Sequence, residues 1–102
     1  AARKRLAHRL AHLAEANGYV FRRLFIRHQT TLWGSCSTAN NISLNLRLAA
    51  LPPELADYVM LHELVHIRHR GHGPAFWAEL ARNVPDARER QSRLRECGLA
   101  IL

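Results

Sequence analysis

The 102-residue sequence is poor in cysteine, with two, in glycine, with five, and in methionine, with one. Cys36 and Cys97 are too few for the disulfide framework of a small secreted domain, and they read as reduced thiols of a cytoplasmic protein. No apolar run nears the roughly 18 residues that a membrane span needs, and no repeat of solenoid period occurs. The basic first residues, Ala1 to Arg9, lack the apolar stretch and small-residue cleavage site of a secretory signal. There is no initiating methionine, as expected of a piece cut from a longer chain. Acidic residues are also scarce: eight Asp and Glu stand against fifteen Lys and Arg, a formal charge of +7.

Apolar residues make up 48% of the chain. At this length they are expected to form one core, so residues 1–102 read as a single domain. The positive charge is uneven, with seven Lys and Arg against one Glu in residues 1–30. Such a cluster normally decorates a solvated helix face, and it leaves nucleic acid as a partner class for the basic N-terminal region.

Leu6, Leu10 and Leu13 recur at helical spacing, so residues 3–16 read as an amphipathic helix stopped by Asn17-Gly18. Tyr19 to His28, rich in β-branched and aromatic residues, reads as a strand. Ile42, Leu44, Leu46 and Leu48 alternate with polar residues, a period-two pattern that predicts a half-buried strand. With Asn40-Asn41 as a turn, residues 32–48 become a hairpin. Pro52-Pro53-Glu54 opens a helix expected to run to about Arg70, and its apolar residues point nearly all round, as in a buried helix. Pro74 opens a short helix to about Asn83, and Pro85-Asp86 opens a last polar one ending near Gly98.

The buried helix carries His62-Glu63-Leu64-Val65-His66, an HExxH motif. At about 100° per residue, His66 lies only about 40° round from His62 and one turn along, so both imidazoles can reach one ion. Glu63, about 100° away, can reach a water on that ion without ligating it. Neutral imidazole suits zinc, and a catalytic zinc takes three protein ligands and keeps one position open. The metal acidifies that water, and a carboxylate can take its proton as the water attacks a polarised carbonyl. The third ligand has two candidates, His69 on the same helix face and His72 between Gly71 and Gly73. His72 is favoured because the glycines let the chain turn back over the site.

These stretches resemble the YgjP-like metallopeptidases, zinc-dependent hydrolases of the zincin type. The matching residues are Trp33-Gly34-Ser35-Cys36-Ser37, Asn41 to Asn45 with Arg47-Leu48, Asp57-Tyr58-Val59 leading into the HExxH motif, and His72 followed by Phe76-Trp77. The resemblance implies an α+β, zincin-like minimal core in which a small antiparallel sheet packs on the HExxH helix, with helices flanking it. It implies one zinc ion held by His62, His66 and His72, Glu63 as general base, and peptide or protein substrates. One departure is Gly71, where family members often have Asn. A more distant likeness, through His72-Gly73 and Phe76, is to SprT-like proteases acting on DNA-bound proteins. A zinc hydrolase of nucleotides or other phosphate compounds is the alternative chemistry. Trp33 and Cys36 read as packing residues, Phe76 and Trp77 as a wedge holding His72, and Asn45 as a polar group on the sheet available to an extended peptide.

Overall fold

The computed structural model describes residues 1–102. Helix α1 (Ala2–Asn17) buries Leu6, Leu10, Leu13 and Ala14. It stops where expected: Gly18 adopts φ 76°, a left-handed conformation open to glycine. The Tyr19 N–H then closes on Ala14 O at 2.8 Å.

Three short strands follow, β1 (Arg23–Arg27), β2 (Gly34–Cys36) and β3 (Asn41–Asn45), in the order β1-β3-β2. The sheet is mixed, because β2 runs antiparallel to β3 but β1 runs parallel to it, from Arg23 opposite Asn41 to Arg27 opposite Asn45. Two chain reversals make the first and third strands point the same way, which corrects the expectation of an antiparallel sheet. The turn between β2 and β3 does fall at Asn40, whose φ of 62° a short polar side chain tolerates.

β3 also ends earlier than the alternating pattern predicts. The Asn45 side chain accepts a bond from the Arg47 N–H at 2.9 Å and caps a 3-10 helix over Leu46–Ala50. Leu48, expected to be buried on a strand, is buried from that helix instead. The alternating leucines therefore continue past the end of the strand, with Leu46 only partly buried and Asn45 fully buried between them.

Helix α2 (Pro53–Val65) starts with proline in its first turn and is buried from Tyr58 to Val65 without interruption. α1, β2, β3 and the 3-10 helix pack against it, as do α3 (Pro74–Asn83) and α4 (Ala87–Arg95). Beyond Val65 the ladder tightens: Ile67 and Arg68 donate to Leu64 O and Val65 O, three residues back, each at 3.0 Å. The helix thus ends five residues before the expected Arg70. At the far end of the chain, Ala100 pairs with Leu32 in a parallel bridge beside β2. No helix is long and apolar enough to cross a membrane.

The sheet approaches α2 most closely at Gly34. A Cβ there would lie 3.1 Å from Val59 Cγ1 and 3.2 Å from both Glu63 Cγ and the Ser43 carbonyl oxygen. Val59 and Glu63 on α2 and the Ser43 main chain on β3 would each have to give by a few tenths of an ångström, and the main chain cannot do so without moving a strand. Gly34→Ala should destabilise the protein by about 1–3 kcal/mol, the usual cost of overpacking, read as a lower urea midpoint.

Candidate metal centre

α2 brings His62 and Glu63 into the interior, and His66 caps its C-terminal end. The tightened turn after Val65 then sends the chain back through Gly71, so that His72 comes over the other two rings. One nitrogen from each of His62, His66 and His72 lies within 4.8 Å of the others. His66 Nε2 and His72 Nε2 are 3.1 Å apart. Two nitrogens on one tetrahedral zinc, with bonds of about 2.0–2.1 Å, stand about 3.3 Å apart, so this spacing fits a shared ion.

The protonation states fit as well. His66 Nδ1 lies 2.8 Å from the His69 carbonyl oxygen. A carbonyl only accepts, so Nδ1 carries the hydrogen and Nε2 keeps its lone pair for a metal. Burial, with the neighbouring His66 and His72, pushes His62 down to about 3. Burial is also the main cause that lowers His66, against a raising bond to the His69 carbonyl. The rings most enclosed are therefore neutral at ordinary pH, as metal ligation requires.

Phe76, the third residue of α3, forms the floor of the site. It stacks on His66 with centroids 4.6 Å apart and meets His62 and His72 edge-on, each at 4.9 Å. It holds all three rings, where the sequence predicted support for His72 alone. Trp77 faces away, its ring covered by the Arg88 guanidinium at 3.6 Å.

Glu63 is fully buried, and neither of its carboxylate oxygens has a hydrogen-bond partner. The nearest polar neighbour is the neutral His62 ring, whose Nδ1 lies 3.4 Å from Oε2 and out of alignment for a bond. Burial alone drives the Glu63 carboxyl well above the usual carboxylate range. An unpaired buried carboxyl costs several kcal/mol unless a cation or a polarised water meets it, so its presence here supports a metal.

The remaining wall is a cleft of about 240 Å³ lined by Ser35, Cys36, His66, Arg70, His72 and Leu102. His72 is exposed to it, which leaves the site open on that side. Arg70 is its only cation, and its guanidinium is spent on the β2–β3 turn: it donates to Ser37 O at 2.6 Å, to Thr38 O at 3.3 Å and to the Asn40 side chain. None of the basic residues 1–30 reaches the cleft. Arg9 instead forms a two-pronged pair with Asp57 at 2.9 and 2.7 Å, and Arg3 donates to Ile26 O.

Several predicted roles change. His69 turns away from the cluster, its Nε2 3.0 Å from Glu79 Oε1, because the tightened turn rotates it off the His62 face. Gly71 and Gly73 keep ordinary backbone angles, and a Cβ on either would meet nothing, so the return of His72 does not depend on glycine freedom. Asn45 is fully buried, its amide donating to Gln29 O at 3.0 Å and Leu32 O at 2.9 Å, so it holds the loop before β2 and is closed to substrate. Trp33 is core and both cysteines are free thiols, as expected. Sequence reasoning passed over Glu79 and Leu102. The signal for Glu79 was an acid three residues after Phe76, on the apolar stripe of α3; Leu102 had none.

Three imidazoles within 4.8 Å of one another, beside a buried carboxyl on the helix that brings two of them, are the arrangement of a zinc-dependent hydrolase of the metallopeptidase class. The chain belongs to the YgjP-like metallopeptidase family, whose metallopeptidase domain model matches residues 1–97. Two solved structures share the fold. The metallopeptidase zymogen abylysin of Pyrococcus abyssi is 23% identical at a TM-score of 0.80, over 95% of this chain and 99% of that one. The zymogen jannalysin of Methanocaldococcus jannaschii is 19% identical at a TM-score of 0.76, over 89% and 94%. No curated protein matches the sequence. The chain is thus a zinc metallopeptidase, with three histidines positioned for one metal ion.

The raised Glu63 predicts a pH effect on the metal-free protein. Its ordinary value is 4.5, so above that pH the unfolded chain releases a proton that the folded chain retains. The Glu63 contribution to folding stability therefore falls as pH rises past 4.5, by up to ~1.4 kcal/mol per unit, until the folded value is passed, while the lowered His62 acts in the opposite sense and does so equally in wild type and a Glu63 variant. Metal-free wild type and Glu63→Gln should unfold at similar urea concentrations at pH 4. At pH 7 the variant should be the more stable by at least ~1 kcal/mol, and equal midpoints there would contradict a buried, unpaired carboxyl.

Proposed function

We propose that residues 1–102 act as one catalytic domain that hydrolyses peptide bonds, with His62, His66 and His72 as the zinc ligands and Glu63 as general base. The observation that carries this is the orphaned Glu63 carboxylate beside three convergent imidazoles. Zinc supplies Lewis acidity at such a site, polarising a carbonyl and acidifying water. Glu63 takes the proton from the attacking water and delivers it to the leaving nitrogen as the carbon–nitrogen bond breaks. Its burial suits both transfers, because a carboxyl whose proton affinity is raised accepts a proton and then holds it for donation. Phe76 keeps bulk water from the underside of the rings.

A peptide fits the cleft better than a phosphate compound. Arg70 has already turned its guanidinium to the β2–β3 turn, so the cleft has no uncommitted cation for an anion. β2, by contrast, has a main-chain edge that already pairs with extended chain. Trp33 N donates to Ala100 O at 2.8 Å and Leu102 N to Gly34 O at 3.4 Å, which sets Leu102 beside His66 and His72. A substrate strand would need the same edge. We therefore infer that residues 100–102 screen the site, in keeping with the zymogen state named for the two solved neighbours.

Glu63→Gln should bind zinc as wild type does yet lose at least ~100-fold in turnover of an unfolded protein, the usual scale for a general base. Near-normal turnover would remove Glu63 from the mechanism. Leu102→Pro deletes the donor to Gly34 O. A single hydrogen bond of this kind is worth ~0.5–1.5 kcal/mol, so KM for a peptide should fall about 2- to 10-fold at unchanged zinc content. An unchanged KM would show that the segment does not compete with substrate.

A further inference from the structure

Glu79 lies outside the cleft but is a hub. It is 7% exposed. Oε2 accepts from Arg68 Nη1 at 3.1 Å and from the Tyr19 hydroxyl, while Oε1 meets His69 Nε2 at 3.0 Å. Burial pushes the Glu79 carboxyl up, but the bonds from Tyr19 and His69 and the charge of Arg68 outweigh it, leaving it below its ordinary value and ionised. A buried carboxylate with this many donors is fixed in place, and it fixes what it touches.

What it touches leads back to the metal. The His69 ring is held by Glu79 on one side, and on the other the His69 main-chain carbonyl takes the Nδ1 hydrogen of His66 at 2.8 Å. After the tightened turn that follows Val65, the segment leading to α3 has no strand or helix of its own and is largely exposed from Arg68 to Gly73. The His69 main chain is held at its N–H, which donates to Val65 O at 3.0 Å, and the bond from its ring to Glu79 adds the second hold that sets where its carbonyl lies. The outer hydrogen bond of a ligating imidazole sets its tautomer and its aim, and losing such a bond typically costs 10–100-fold in metal affinity.

We infer that Glu79 is a positioning residue for His66, acting through His69: the carboxylate holds the ring, and the main-chain carbonyl of that residue orients the imidazole for the metal. This rests on the reading of His66 as a zinc ligand. α3 then holds His66 twice, by Phe76 under the face of its ring and by Glu79, one turn on, at its edge through His69.

The test is zinc affinity by competition with a chelator at pH 7, read beside the urea stability of each metal-free protein. His69→Ala keeps the carbonyl but frees it from Glu79, and both it and Glu79→Gln should weaken zinc binding about 10–100-fold. His69→Gln, whose amide can still donate to Glu79, should recover most of the loss. Tyr19→Phe removes a different donor from the same carboxylate, so it should lower stability while leaving zinc affinity within about twofold of wild type, well short of the loss expected for an outer-shell partner. Wild-type zinc affinity in His69→Ala, or an equal loss in Tyr19→Phe, would overturn the positioning role. His66→Ala and His72→Ala are run alongside. Full zinc affinity in those two would instead overturn the ligand assignment, so the two failures are distinguishable.

Discussion

Glu63 and His62 sit side by side in the last turn of a helix that has almost no exposed face, and enclosing them is the constraint on which the rest of the structure turns. A carboxyl transferred into such surroundings loses its hydration, and here no protein donor replaces it. The apolar residues that surround α2 on every side make that penalty survivable by contributing the burial of nearly all their own surface. The same enclosure keeps the His62 and His66 rings neutral and the carboxyl proton-hungry. The features that make the site costly to fold therefore also make it ready for a cation and for proton transfer.

Once α2 is closed in, the chemistry has to open at one end. It does so where the helix ladder tightens after Val65 and the chain doubles back. α3 secures this return, with Phe76 under the three rings and Glu79 on the outer side of the loop. β2 forms the other lip. Gly34 lets it approach α2, and Arg70 binds its turn to the loop that carries His72. The two walls of the cleft are thus tied to each other through side chains of the loop between them, and the N-terminal cations take no part.

Much of this was legible along the chain. The HExxH spacing, the all-round apolar character of α2, the glycine stop of α1, the Asn40 turn and the proline starts of α2 and α3 all express preferences that act within a few residues, and the structure has each of them. Four readings failed for one shared reason. The sense of β1, the ends of β3 and of α2, and the burial of Asn45 depend on what arrives from elsewhere. Alternating leucines record which positions are buried, and Leu48 is buried, but a 3-10 helix buries it as well as a strand. Asn45 looks like a surface amide until the loop at Gln29 and Leu32 closes over it.

The sequence by itself determined the two histidines and the carboxyl of the motif as one constellation, because a 3.6-residue period places them without help from distant chain. It determined too that their helix must be interior. It favoured His72 as the third histidine, but only the tertiary structure brought that ring to the other two, left Glu63 without a partner, and set Glu79 and Leu102 at the flanks of the site from α3 and the C-terminal segment. Those outcomes rest on contacts between parts of the chain far apart in sequence, where the competition among packing arrangements, and not local propensity, sets the answer.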